Sequence, residues 1–128
     1  MFENRKLDHI AIACPNAEEV ANWYIDVMGM QFLGKFQGMT SRCVRFVGNG
    51  EVTYEIIERP DMDPAVMGKL DHMAYVSEDI EADYKYFLDR NCTFATKGIL
   101  DVGFWKNGER IFKVFDPAQG QVEFVQKL

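Results

Sequence analysis

Basic charge is scarce in this chain. Against 14 lysines and arginines stand 20 aspartates and glutamates, a formal charge of −6. No basic stripe is left to neutralise phosphates, which argues against a nucleic-acid partner. A small anionic substrate stays possible, since a few cations in a pocket suffice. Cysteine is scarce as well. Cys14, Cys43 and Cys92 are odd in number and widely spaced, with no C-x-x-C pair. That excludes zinc-finger chemistry, argues against a disulfide framework, and fits buried thiols in a cytosolic protein. No apolar run approaches the ~18 residues of a membrane span. Nor does an apolar stretch of signal-peptide kind follow Met1-Phe2-Glu3-Asn4-Arg5-Lys6. The expected location is cytoplasmic, without membrane contact. Histidine occurs twice, at His9 and His72.

What is present is a repeat built around those two histidines. Leu7-Asp8-His9-Ile10-Ala11-Ile12-Ala13 returns as Leu70-Asp71-His72-Met73-Ala74-Tyr75-Val76, and Trp23-Tyr24-x-Asp26 returns as Tyr86-Phe87-x-Asp89 at the same 63-residue offset. The first pair of segments is short, apolar and alternating, and predicts β-strands. Asn16 predicts an N-cap, with Glu18 and Glu19 in the first turn of a helix running to about Met28. Its apolar face is read as Val20, Trp23, Tyr24, Val27 and Met28, and Gly29 is its C′ residue. Strands are predicted at 30–36, 42–47 and 52–57, with Gly48-Asn49-Gly50 turning the hairpin between the last two. After a connector at 59–64, containing Pro60 and Pro64, the order repeats. A strand covers 69–76 and a helix covers about 80–90, capped by Ser77 or Asp79, with Ile80, Tyr84, Phe87 and Leu88 on its apolar face. Strands follow at 92–96, 110–115 and 121–126, with Asp116-Pro117-Ala118-Gln119-Gly120 as the last turn. The expected fold is α+β. Two tandem βαβββ modules (about 6–59 and 69–127) make one 128-residue domain, with an eight-stranded curved sheet and the helices on its outer face. One module alone buries its sheet poorly, so two copies are expected to pair, side by side in one chain or swapped between two.

Side chains alternate along a strand. His9, Ala11 and Ala13 share one face, as do His72, Ala74 and Val76, so each histidine lies beside small residues. Each module also ends in a strand with a glutamate inside an apolar run, Glu55 and Glu123. Carboxylates are rarely buried unless paired or metal-bound. A histidine and a glutamate at matching places in both copies therefore point to one site of doubled construction. His72 and Glu123 are five residues further apart than His9 and Glu55; the extra residues are most easily placed in the glycine-rich stretch 97–109.

The duplicated unit resembles the vicinal oxygen chelate superfamily, which includes glyoxalase I, methylmalonyl-CoA epimerase, fosfomycin resistance proteins, extradiol dioxygenases and bleomycin-binding proteins. The matching pieces are Leu7-Asp8-His9, residues 23–30, Phe46-Val47-Gly48-x-Gly50, Leu70-Asp71-His72 and Phe115-Asp116-Pro117-x-x-Gly120-x-x-Glu123. The resemblance implies a divalent metal (Ni²⁺, Co²⁺, Mn²⁺ or Zn²⁺) bound by His9, Glu55, His72 and Glu123, most like the glyoxalase I branch. It implies a lyase or isomerase moving a proton through a metal-chelated enediolate of a small, hemithioacetal-like carbonyl substrate, with Glu123 or Glu55 as the base. Two positions differ from the glutathione-using branch: Ala13 stands for an arginine and Arg59 for an asparagine, which argues against glutathione. Lys113, Arg45 and Trp105 are the candidate substrate contacts. The alternatives are an enzyme like methylmalonyl-CoA epimerase, and a bleomycin-resistance-type protein that binds a small molecule without catalysis.

Overall fold

The computed structural model describes residues 2–39, 42–63, 69–115 and 121–128, with the side chain of Lys69 left out. The order is β1 (Leu7–Cys14), α1 (Ala17–Asp26), β2 (Gln31–Gln37), β3 (Cys43–Gly48) and β4 (Thr53–Glu58), then β5 (Lys69–Val76), α2 (Ile80–Asp89), β6 (Leu100–Val102), β7 (Glu109–Phe115) and β8 (Gln121–Lys127). This is βαβββ twice. The chain divides within β1 and β5 into two units: His9–Asp71, and the residues up to Asp8 with His72–Leu128.

In the first unit the strands lie in the order β2-β3-β4-β1. β1 runs parallel to β4 with Ile12 beside Ile56, and β3 runs antiparallel to β4 with Phe46 beside Glu55. Asn49 makes the hairpin: its carboxamide oxygen accepts from the amides of Glu51 and Val52, both at 3.0 Å. α1 starts as expected, with Asn16 Oδ1 accepting from the Glu19 amide at 3.1 Å. It ends before Gly29, whose φ of +72° is the left-handed turn that favours glycine. The buried face of α1 is the expected one only at Val20 and Tyr24. Ala17 and Ala21 are buried, and Val20, Tyr24 and Ile25 pack with them against Val47 and Ile56. Trp23, Val27 and Met28 are more than half or half exposed (50, 63 and 57%). The positions 17, 20, 21, 24 and 25 follow the i, i+3, i+4, i+7, i+8 rule. Two alanines in that stripe let the helix lie close to the sheet.

In the second unit the order is β5-β8-β7-β6. Ile80, Phe112, Val114 and Phe124 form its core, with Tyr84 and Phe87 packed on them. Phe112 stacks on Phe124 at 5.2 Å. Burying each such side chain contributes about 1.5–3 kcal/mol. Asp79, not Ser77, caps α2, accepting from the Ala82 amide at 3.1 Å. Leu88, expected inside, is 52% exposed; the i+3 place on the buried face belongs to Asp83, which is 4% exposed.

The strand expected at 92–96 is displaced. Phe94 makes one isolated bridge to Val114, and the regular strand begins only at Leu100, opposite Ile111. The seven residues from 94 to 100 thus face the four from 111 to 114, a bulge in the edge strand. Gly98 lies in it at φ +70°. Most of the five extra residues of the second module fall in this bulge and the turn after β6. The turn expected at 116–120 and the end of the connector lie outside the described residues.

The N-terminal segment belongs to the second unit, which sequence reading did not anticipate. The Phe2 ring meets Tyr86, Phe87 and Phe124 at 4.6, 5.2 and 5.6 Å. The Lys6 carbonyl accepts from the Val76 amide at 2.9 Å. Arg5 reaches Asp83 with both terminal nitrogens, at 2.5 and 2.6 Å, and the Ser77 hydroxyl donates to the same carboxylate at 2.6 Å. Burial would raise the Asp83 carboxyl; the Arg5 and Ser77 hydrogen bonds and the Arg5 charge outweigh it and hold it below its ordinary range.

Candidate functional site

Register decides which side chains share a face. In the first unit, Ile10, Ile12, Tyr54, Ile56 and Val47 turn toward α1, so His9, Ala11, Glu55 and Phe46 turn the other way. His9 is 2% exposed and Glu55 5%. His9 Nε2 lies 3.3 Å from Glu55 Oε1. The Phe46 ring stands edge-on to the imidazole, centroids 5.8 Å apart.

The second unit repeats the device. Met73, Tyr75, Phe112 and Phe124 turn toward α2; His72, Ala74, Glu123 and Lys113 turn away. His72 is 2% exposed and Glu123 4%. His72 Nε2 lies 3.5 Å from Glu123 Oε2. Lys113 stands directly opposite Glu123 across the β7–β8 ladder. Its Nζ is 3.5 Å from Glu123 Oε2 and 3.4 Å from His72 Nδ1.

Each pair thus offers an imidazole nitrogen and a carboxylate oxygen, both buried and close together. Burying carboxylates is costly without compensating positive charge or hydrogen bonds. Nitrogen and oxygen donors of this kind suit a borderline divalent ion, so the residues fit the metal that the sequence implies. Buried His9, Glu55 and His72 are all of ligand type.

The candidate substrate contacts fare differently. Lys113 is brought to the His72–Glu123 pair. Arg45 is not brought to its neighbouring pair: alternation places it on the α1 face, where Nη2 lies 3.6 Å from Glu18 Oε2. Its neighbour Phe46 holds the place beside His9. Trp105 sits in the turn after β6 at φ +62°, with the Lys127 ammonium 4.8 Å from its ring centre, a packing arrangement at the end of β8. Arg59 is engaged at Asp71 by an ion pair of 2.5 Å. Phe46 was read as part of a motif but not as a neighbour of His9 and Glu55. The Asn49 turn carries the signal that would have found it, since pairing Gly48 with Thr53 puts Phe46 opposite Glu55.

All three cysteines are free. Burial pushes the Cys14 thiol up, away from the reactive thiolate. Among the described residues no helix is long and apolar enough to cross a membrane.

Comparison with known proteins agrees with this architecture. Residues 6–124 match the model of the Glyoxalase/Bleomycin resistance protein/Dioxygenase superfamily. The chain belongs to that superfamily. It is similar to the uncharacterized protein YwbC of Bacillus subtilis (strain 168), 24% identical over 96% of this chain and 98% of that one. Among solved structures, a hypothetical protein of Bacillus halodurans C-125 superposes with a TM-score of 0.78 at 20% identity, covering 98% of this chain and 96% of the other. Methylmalonyl-CoA epimerase from Mycobacterium tuberculosis superposes equally well, TM-score 0.78 at 17% identity over 95% and 87% of the two chains. At these identities the likeness is one of fold, and the α+β fold of tandem βαβββ modules is that of the superfamily.

Proposed function

We propose that the protein is a divalent-metal-dependent lyase or isomerase that moves a proton on a small carbonyl substrate, closest in chemistry to the glyoxalase I branch. The observation that carries this reading is the buried His–Glu pair made twice, at equivalent places in two modules. His9, Glu55, His72 and Glu123 would together hold one ion, Ni²⁺, Co²⁺, Mn²⁺ or Zn²⁺. When bound, such an ion is a Lewis acid that polarises a carbonyl and acidifies the C–H beside it. The chain's own residues do the rest. Glu123, with Glu55 as the alternative, takes the proton from one carbon and returns it to the next. Ala11 and Ala74, small and buried on the histidine-bearing faces, keep the space beside the imidazoles free of bulk. Lys113 supplies the positive charge for an anionic group. An acyl-CoA thioester also presents a C–H next to a carbonyl, so an epimerase is the neighbouring possibility within the same chemistry. The proposed assembly is a homodimer, supported by the exposed Phe32 and Leu33 on β2, the end strand of its unit; light scattering at micromolar concentration tests it.

The deciding experiment measures metal content after purification without chelator, beside His9→Ala and Glu123→Gln. Near-stoichiometric metal, lost in both variants, supports the reading and directs screening to hemithioacetals and acyl-CoA esters. No metal, and no binding of added Ni²⁺, Co²⁺, Mn²⁺ or Zn²⁺, overturns it in favour of a non-catalytic binding protein.

A further inference from the structure

The two His–Glu pairs are not equivalent in what stands beside them. Register pairs Phe46 with Glu55 as it pairs Lys113 with Glu123. One pair therefore has a phenyl ring where the other has an ammonium. The Lys113 side chain is 12% exposed. Among the described residues its ammonium has two polar partners, Glu123 Oε2 and His72 Nδ1.

The chemistry of that second contact is restrictive. A lysine ammonium has three donors and no acceptor. An ammonium donating to Nδ1 selects the tautomer with the lone pair there, in which the proton of the neutral ring sits on Nε2, toward Glu123. A nitrogen that carries a proton is not a metal ligand. The ammonium therefore opposes metal at two points. It takes a share of the Glu123 oxygen, and it favours the His72 tautomer in which Nε2 cannot coordinate.

The backbone holds Lys113 where it can do this. Its amide donates to the Thr96 hydroxyl at 3.1 Å, and its carbonyl accepts from the Ala95 amide at 2.8 Å. The Thr96 hydroxyl in turn donates to the Gly98 carbonyl at 3.0 Å. The bulge in the edge strand lies just opposite Lys113, and a threonine hydroxyl replaces the carbonyl that a regular strand would supply.

We propose that Lys113 is a tethered cation that competes with a divalent metal for His72 and Glu123, so that metal binds only by displacing the lysine. The inference rests on the proposed metal role of those two residues. The competition weakens metal binding and sets how readily the site loads.

The test is calorimetric titration of chelator-treated, full-length protein with Co²⁺, comparing wild type, Lys113→Met and Lys113→Arg. Methionine keeps much of the length and removes the charge; arginine keeps the charge. Urea unfolding of each variant confirms that it folds. The expected result is Co²⁺ binding at least tenfold tighter in Lys113→Met, with Lys113→Arg near wild type. In parallel, nitrogen NMR of the His72 ring reads the proton on Nε2 in wild type and on Nδ1 in Lys113→Met. Unchanged or weaker Co²⁺ binding in Lys113→Met, with wild type still binding, overturns the competition and leaves the metal site standing. Absence of Co²⁺ binding in every variant overturns both.

Discussion

Replacing Asp83 by alanine should destabilise the protein by about 3 kcal/mol, a magnitude worked from its surroundings. The Asp83 side chain is 6% exposed and that of Arg5 22%. Breaking a buried ion pair by removing one partner costs about 3–5 kcal/mol, most of it from the charge left behind. Here the stranded charge is Arg5, which is partly exposed and able to turn toward water, so the lower end applies. The Ser77 hydroxyl, buried with its residue 3% exposed, also loses its acceptor. For a chain of 128 residues, 3 kcal/mol lowers Tm by about 9–15 °C. Arg5→Met should cost more, about 4 kcal/mol, because the charge it strands is the better-buried one. The pair should also mark the acid limb of stability. The Asp83 carboxyl is held below its unfolded value of about 4. Its contribution is then fully present above that pH and is lost as pH falls through the lower folded value. Urea unfolding monitored by circular dichroism, from pH 7 down to pH 2.5, measures all of this. A change under about 1 kcal/mol for Asp83→Ala, or a gap to wild type that stays constant down to pH 2.5, would refute the reasoning.

Other predictions concern the core and the site. Phe112→Ala empties the centre of the aromatic cluster and should cost about 3–5 kcal/mol, read from the urea midpoint with an unchanged slope. Gly98→Ala meets no atom within 4 Å but must hold φ +70°, so a loss of about 1–2 kcal/mol is expected; a neutral result would mean that the bulge relaxes. If hemithioacetals are turned over, kcat/KM should show no preference for the glutathione adduct over adducts of simpler thiols, since Ala13 offers no cation and Arg59 is engaged at Asp71. A marked glutathione preference would return the protein to that branch.

Much of the scaffold could be read from the chain because local chemistry and repetition agreed. Asn16, Gly29 and the Asn49 turn act through their own backbone neighbours, so their roles are visible in a few residues. The His–Glu combination was visible because it occurs twice, on the first and last strand of each module. What stayed hidden depends on partners far along the chain. The α1 face was misread because large side chains draw attention, while Ala17 and Ala21 define the stripe by letting the helix approach. Arg45 looked like a pocket cation until strand register put it on the helix side. Asp83 looked like one more acid on a polar face, and only Arg5, 78 positions earlier, explains its burial. The strand at 92–96 was displaced because the β-like residues around Phe94 give no sign that a bulge interrupts the pairing.

A duplicated module begins with two identical halves, and the chemistry lies in how they diverge. The His–Glu pair is common to both, as the proposed role of its members as metal ligands would require. The residue across the strand from each glutamate is free of that requirement. In the first unit it is Phe46, whose ring packs on His9 and carries no charge. In the second it is Lys113, set opposite the wider of the two edge-strand bulges, since β2 carries a one-residue bulge at Leu33 beside Phe46. A phenyl ring fixes an imidazole without competing for it; an ammonium fixes it and competes. The Phe46–Lys113 exchange gives the two pairs different electrostatic surroundings without altering the histidine or the glutamate of either.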